Sequence, residues 1–140
     1  TYRTNPKNGD KVSILGYGWM RLPMLPVEPT GDESNPPQEE IDQEQCNRLA
    51  KYALDHGVNY FDTSPAYCRG ESESCTGIAL ARHKREEFFV ATKLSNFSPD
   101  TWSREASQEM FNNSLNKASA SSTTGWKYLA RWLISRIESP

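Results

Sequence analysis

Two short apolar runs, at residues 58–61 and 88–92, stand out in a chain whose remaining segments are mixed or polar. Neither run alternates apolar with polar positions, which is typical of strands covered on both faces in a parallel sheet. A helical period precedes the first run. It begins at Asp42, which is followed by a glutamine three residues later as in a capping box, and it ends at Gly57, a residue type favoured just after helices. A helix followed at once by a buried strand predicts the αβ half of a βαβ unit.

Further elements continue this alternation on both sides. Residues 2–15 predict a β-hairpin, because Asn8 and the glycine after it are a strong signal for a type I′ turn. Helices are predicted over residues 72–81 and from Ser98, which precedes a proline as an N-cap does, to about Leu115. The order hairpin, β, α, β, α, β, α predicts an α/β fold with a parallel sheet and right-handed crossovers.

Helical spacing also predicts which side of each helix is buried. The predicted buried positions are Cys46, Leu49, Ala50, Ala53 and Leu54 in the first helix, Cys75, Ile78 and Ala79 in the second, and Trp102, Ala106, Met110 and Leu115 in the third.

Three segments fall outside this pattern. Residues 22–40 are rich in prolines and acids, which predicts an irregular and solvated segment. Residues 117–124 are small and polar and predict a linker. Residues 126–137 have apolar positions at helical spacing, and the predicted helix either docks on the sheet or lies on a membrane surface, although it is short and only modestly basic.

Composition narrows the function classes. The length of 140 residues fits one domain, and the net charge of −2 gives no electrostatic case for nucleic acid or an anionic membrane. The first residues lack the apolar core of a signal peptide, and no run approaches the ~20 apolar residues of a membrane span. Cys46, Cys68 and Cys75 are an odd number of cysteines without a CxxC pair. They predict reduced thiols in a cytoplasmic protein rather than a disulfide or a metal site.

An acid, a phenol and an amine stand where the predicted strands end. Asp62 directly follows the first apolar run, Tyr67 lies in the turn after it, and Lys93 follows the second run. A carbonyl that accepts hydride develops negative charge on its oxygen and needs a proton donor. A lysine ammonium beside a tyrosine favours the phenolate and lowers the pKa of the hydroxyl, and an acid can hold that lysine in place. From spacing alone, a tyrosine near a buried Asp–Lys ion pair is an equally good interpretation.

Several segments around these residues resemble the N-terminal part of an aldo-keto reductase. The resemblance covers about residues 2–116, and it is closest to a bacterial subgroup that often carries a C-terminal iron–sulphur segment, which this sequence does not contain. The matching segments are the hairpin and residues 15–23, 57–67, 71–73 and 91–93.

The resemblance implies a (β/α)₈ TIM barrel that binds NADPH and reduces small-molecule carbonyls. The hydride would come from the cofactor, since no side chain can supply it. Of the family's catalytic Asp, Tyr, Lys and His, the first three match Asp62, Tyr67 and Lys93. Nothing matches the histidine: His56 and His83 both precede predicted strands, on the side opposite a barrel's active site.

The resemblance also implies cofactor contacts. Gly18, Trp19 and Met20 would approach the nicotinamide end of the cofactor, together with Asp62. The family more commonly has a small residue or a cysteine at the position of Trp19. The glycines of this segment are equally well explained by the turn alone.

The resemblance ends near Asn116, and a complete barrel needs about 250 residues. We therefore predict a partial barrel over residues 1–116, with a hairpin and about three βα units, and a divergent linker and helix over residues 117–140. On this interpretation the chain is an incomplete or inactive reductase fragment. The alternative is a non-catalytic interaction module that uses an exposed sheet edge or the C-terminal helix, with self-association through the open edge. Peripheral membrane binding through the tail is the weaker third hypothesis.

Overall fold

The computed structural model describes residues 1–28 and 39–119. Five short strands and three helices alternate in the predicted order, with 3₁₀ turns at Tyr67–Gly70, Arg85–Glu87 and Pro99–Thr101. The strands are β1 (Tyr2–Thr4), β2 (Lys11–Ser13), β3 (Tyr17–Gly18), β4 (Tyr60–Asp62) and β5 (Phe89–Ala91), and the helices are α1 (Gln43–Asp55), α2 (Ser72–Leu80) and α3 (Arg104–Ser119).

The N-terminal hairpin is confirmed, but its predicted turn is wrong. β1 pairs antiparallel with β2, with Tyr2 opposite Ser13. The connection is a wider loop over residues 5–10, in which Gly9 alone adopts a positive φ, of 79°. A type I′ turn requires positive φ at both central residues, and Asn8 does not supply the first.

The parallel sheet has the strand order β3-β4-β5 and confirms the predicted α/β class. Tyr17 lies beside Phe61, and Phe61 lies beside Val90, so the three strands run in register. β4 begins two residues later than predicted and includes Asp62 as its last residue. Its carboxyl end therefore lies at the same edge of the sheet as the ends of β3 and β5.

Helix α1 begins and ends where its sequence signals predict. The carboxylate of Asp42 accepts a hydrogen bond from the backbone N–H of Gln45 at 2.8 Å, which satisfies one of the free donors of the first turn. Gly57 adopts a φ of +81° directly after the helix, a conformation that other residues reach only with strain. These two signals set the point at which the chain enters β4.

The core lies between the sheet and the first two helices. Phe61 and Val90 from the strands and Trp19, directly after β3, are almost fully buried, and the ring centres of Trp19 and Phe61 are 6.3 Å apart. The helices contribute the small side chains of Cys46, Ala50, Ala53, Cys75 and Ala79. Because these side chains are small, α1 and α2 pack close to the strands.

One buried position predicted for α2 is wrong. Ile78 is 42% exposed, and the charged Glu73 is buried instead, at 1% exposure. The inner face of α2 is largely polar near its beginning, which an apolar periodicity cannot detect.

The start of the third helix also differs from the prediction. Ser98 caps the short 3₁₀ turn Pro99–Thr101, and α3 begins later, at Arg104. Trp102 lies between the two and is 67% exposed rather than buried. Helix α3 continues to Ser119, past the predicted end at Leu115.

The predicted C-terminal helix at residues 126–137 and most of the segment at residues 22–40 lie outside the described residues. In the described part of the chain, no helix is both long and apolar enough to cross a membrane.

Candidate active site

Asp62 and Lys93 form an ion pair at the carboxyl edge of the parallel sheet. Asp62 ends β4, and Lys93 lies two residues after β5. The Lys93 ammonium donates hydrogen bonds to Oδ1 of Asp62 and, at 3.0 Å, to the carbonyl oxygen of Thr63. The ammonium is thus held between two acceptors from the end of β4.

Tyr67 joins this pair from the 3₁₀ turn that follows β4. The Lys93 nitrogen lies 4.9 Å from the centre of the Tyr67 ring, within the range of a cation–π contact. The three candidate catalytic residues from the sequence therefore converge at one place.

The backbone directly after Tyr67 is strained. Cys68 and Arg69 adopt positive φ angles of 48° and 55°, which non-glycine residues rarely do. The Cys68 thiol donates to the carbonyl of Met20 at 3.6 Å, and the Arg69 guanidinium donates to the carbonyl of Glu39. These contacts hold the turn from two sides and so fix the segment that carries Tyr67.

The electrostatics of the site favour a charged lysine. Burial opposes the ammonium, but hydrogen bonds to Asp62 and Tyr67 outweigh it, so the pKa of Lys93 is raised above its ordinary value. The side chains of Lys93 and Asp62 are 42% and 41% exposed. The pair is therefore open to solvent and within reach of a ligand.

The three residues expected near a cofactor lie in different environments. Gly18 pairs with Asp62, and a side chain added at Gly18 would meet no heavy atom within 4 Å. Met20 is 56% exposed, but Trp19 is completely buried, and the centre of its ring lies 5.6 Å from that of Tyr17. Gly18 thus offers accessible surface beside Asp62, and Met20 is exposed on the segment that follows β3, whereas the position of Trp19 favours a role in packing.

Neither histidine lies at this edge of the sheet. His56 follows α1 directly, and its ring stacks on that of Tyr52 with the two ring centres 3.9 Å apart. His83 lies in the turn between α2 and β5. Both precede the strands, and the candidate site is at the strand ends.

A set of hydroxyls next to the candidate residues was not recognised from the sequence; these hydroxyl residues are buried at Thr63 and Ser72 and half-buried at Thr92. Thr63 follows Asp62, and its Oγ1 lies 2.8 Å from Oγ of Ser72. Thr92 precedes Lys93, and its hydroxyl donates to Oε1 of Glu73 at 2.6 Å. The signal was present in the sequence, because both threonines adjoin the candidate catalytic residues in the chain.

Within the described residues, no group of three or more potential ligands is arranged to hold a metal ion. The three cysteines are free thiols, and Cys46 and Cys75 lie buried in the core. A hydrogen bond with Cys46, followed by burial, raises the pKa of the Cys75 thiol. Cys75 is therefore protonated at neutral pH.

Comparison with known proteins assigns the chain to a family. The model of the aldo/keto reductase family matches residues 15–134, which extends past Asn116 into the segment predicted to be divergent. The boundary at residue 116 stays a prediction.

Individual relatives agree with this match. The Glycine max protein named "Probable aldo-keto reductase 1" is 35% identical over 86 residues, which is 61% of this chain and 22% of the relative. A Pseudomonas aeruginosa structure assigned to the aldo-keto reductases superposes with a TM-score of 0.61 at 27% identity, over 84% of this chain and 43% of the other. The holo form of an aldo-keto reductase from Bacillus halodurans superposes with a TM-score of 0.61 at 26% identity, over 84% of this chain and 36% of the other.

The chain thus spans less than half of these solved structures and 22% of the curated relative. The described sheet corresponds to part of the barrel found in those structures. The family match covers most of the sequence, and the chain belongs to the aldo/keto reductase family.

Proposed function

We propose that this chain carries the proton-donating part of an NADPH-dependent oxidoreductase that reduces small-molecule aldehydes or ketones. The observation that carries the proposal is the convergence of Asp62, Lys93 and Tyr67 at the ends of adjacent parallel strands in a member of this family. Active sites of barrel enzymes lie at this end of the strands.

Each of the three side chains has a defined task in this proposal. Tyr67 donates its hydroxyl proton to the carbonyl oxygen as negative charge develops there. Lys93, 4.9 Å from the ring centre, stabilises the negative charge that Tyr67 acquires when it gives up the proton. Asp62 holds the Lys93 ammonium in place through their ion pair.

A bound nicotinamide cofactor would supply the hydride for this reaction. The residues present fit such a ligand on one side of the site: Gly18 leaves open space next to Asp62, and the side chain of Met20, two residues later in the chain, is exposed. The Bacillus halodurans relative, whose structure is a holo form, supports the choice of a cofactor-dependent reaction.

We further propose that turnover by the 140 residues alone is slow or absent. The solved relatives contain more than twice the aligned length, and no residue here matches the family histidine that completes the catalytic set. Residues from the remaining strands would complete the substrate and cofactor sites.

The proposal is tested by two measurements on the purified 140-residue protein. The first follows the loss of NADPH absorbance with a small aromatic aldehyde. We expect a rate close to that of the uncatalysed reaction, with any residual turnover lost in Tyr67→Phe. A robust rate that depends on Tyr67 would contradict the proposed incompleteness, and a robust rate retained by Tyr67→Phe would contradict the role of Tyr67.

The second measurement is NADPH binding, followed by fluorescence titration. A Cβ added at Gly18 meets no heavy atom within 4 Å, and the side chain of Gly18→Leu would occupy the open space beside Asp62, so we expect this variant to weaken binding and leave the melting temperature unchanged. Lys51→Ala, on the exposed side of α1, is the matched control and should bind like the unmodified chain. Equal binding by Gly18→Leu and the control would remove Gly18 from the cofactor site.

A second candidate function is a non-catalytic interaction module. Among the described residues, β5 pairs with β4 alone, so the other edge of β5 has backbone groups available for another strand. This observation favours association with another chain, which is tested at the scale of the whole molecule below.

A further inference from the structure

The first turn of α2 holds the ends of all three parallel strands through two consecutive side chains. The Ser72 hydroxyl donates to the carbonyl of Trp19, after β3, at 2.8 Å and also contacts Thr63, after β4. The carboxylate of Glu73 accepts the hydroxyl of Thr92, after β5. One helical turn thus fixes the points at which the chain leaves the strands.

Glu73 is an unusual residue for a packing position. It is 1% exposed, and among the described residues its second carboxylate oxygen, Oε2, has no hydrogen-bond partner. Burial of a carboxyl with an unpaired oxygen is unfavourable, although the dipole of α2 favours an acid in its first turn. A leucine would fill much of the same space without that cost, so packing alone does not explain the side chain.

The partner of Glu73 explains it better. Thr92 is the residue before Lys93, and its hydroxyl lies 2.6 Å from Oε1 of Glu73. Lys93 itself is long, flexible and 42% exposed, and an exposed ion pair loses much of its benefit to the side-chain entropy of holding one geometry. A fixed backbone at the base of Lys93 reduces the number of positions that its ammonium can reach.

We propose that Glu73 is a positioning residue, which through Thr92 fixes the backbone from which Lys93 reaches Asp62 and Tyr67. The proposal rests on the proposed function only in giving Lys93 a catalytic task. The network that supports it consists of described contacts from α2 to the end of β5 and from there to the ion pair.

The test is an NMR titration of the Lys93 side chain in the 140-residue protein, with isotope-labelled lysine. In Glu73→Ala and Thr92→Val, the ammonium spends less time beside Asp62 and Tyr67. We therefore expect Lys93 to lose its proton at a lower pH than in the unmodified chain. Glu73→Gln and Thr92→Ser keep the acceptor and the hydroxyl, and we expect them to restore the original titration.

The matched control is Thr76→Val, which removes another buried hydroxyl of α2. Thr76 donates to the carbonyl of Ser72 at 2.7 Å and has no contact with Thr92 or Lys93 among its described hydrogen bonds. We expect Thr76→Val to lower the melting temperature about as much as Thr92→Val and to leave the Lys93 titration unchanged. If Thr92 contributed only to stability, Thr92→Val and Thr76→Val would have the same effect on the Lys93 titration.

Three results would overturn the proposal: an unchanged Lys93 titration in Glu73→Ala and Thr92→Val, an equal change in Thr76→Val, or no restoration by Glu73→Gln. If Glu73→Ala does not fold, Thr92→Val, Thr92→Ser and the control decide the question. The titration needs no turnover. An unmodified chain that does not bind NADPH would contradict the proposed function, whereas the titration reports on positioning alone.

Discussion

The Lys93–Asp62 ion pair is useful for its geometry more than for stability. Both side chains are about two-fifths exposed, and pairs of this kind contribute only about 0–1 kcal/mol to the free energy of unfolding. The Thr63 carbonyl provides a second acceptor at 3.0 Å, so the ammonium has a defined position despite its exposure. A defined position for the charge is what the proposed proton donation by Tyr67 requires.

We predict that Asp62→Asn lowers the pKa of Lys93, because the carboxylate is a main cause of its increase. A raised lysine pKa stabilises the folded state below the ordinary value of 10.5 and loses this effect as the pH rises through the folded value. The difference in melting temperature between the unmodified chain and Asp62→Asn should therefore be small but present at neutral pH, and should shrink above pH 10.5.

The same NMR titration of labelled lysine measures this prediction directly. Asp55→Asn is the control, since Asp55 pairs with Lys51 at 2.6 Å on the exposed face of α1 and should leave Lys93 unchanged. A Lys93 pKa that is the same in Asp62→Asn would show that Asp62 does not hold the ammonium.

The sequence predicts that Asp62 and Lys93 lie close together, but it does not predict the buried side chains that pack beneath them. Asp62 and Lys93 follow apolar runs that become neighbouring strands, and parallel strands bring their carboxyl ends together. The burial of Glu73 depends on Thr92, nineteen residues away in the chain, so it has no local signal. Trp19 is similar, since only the assembled sheet places its side chain against Tyr17 and Phe61.

At the scale of secondary structure, α1 has the clearest link between sequence and conformation. Asp42 caps its first turn, and Gly57 ends it with a positive φ. Ser98 illustrates the opposite case: its cap signal is real, but it serves a 3₁₀ turn, because Trp102 and Ser103 separate that turn from α3. Strand β3 has only two residues, too few for a periodicity to predict it.

We predict that Asp42→Ala destabilises the protein by about 1 kcal/mol, the usual cost of removing a side-chain cap. The backbone N–H of Gln45 loses its acceptor at the start of α1, and the helix positions β4. Urea denaturation measures the change. Glu44→Ala is the control: its ion pair with Arg48 is largely exposed, so we expect an effect near zero. Asp42→Asn retains an acceptor, and a loss equal to that of Asp42→Ala would exclude the capping role.

At the scale of the whole molecule, the candidate site and an unpaired strand edge belong to the same sheet of the described residues. The described strands end in the order β3-β4-β5, with the ion pair at the ends of β4 and β5. This chain aligns with 43% of the chain in the Pseudomonas aeruginosa structure and with 36% of the chain in the Bacillus halodurans structure. Among the described strands the second edge of β5 is unpaired, so we expect completion of the site and association with another chain to involve the same edge.

We therefore predict that the 140-residue protein self-associates as its concentration rises. β5 has one neighbour among the described strands, and Phe97, on the segment that follows it, is 81% exposed. Light scattering over a range of concentrations measures the mass. Phe97→Glu replaces this exposed apolar ring with a charge and should shift the chain toward the monomer. Tyr52→Glu changes another exposed ring, on α1, and should not. A monomer at every concentration would count against both self-association and the interaction module, and would leave the exposed edge of β5 as the surface on which the rest of a reductase barrel would be built.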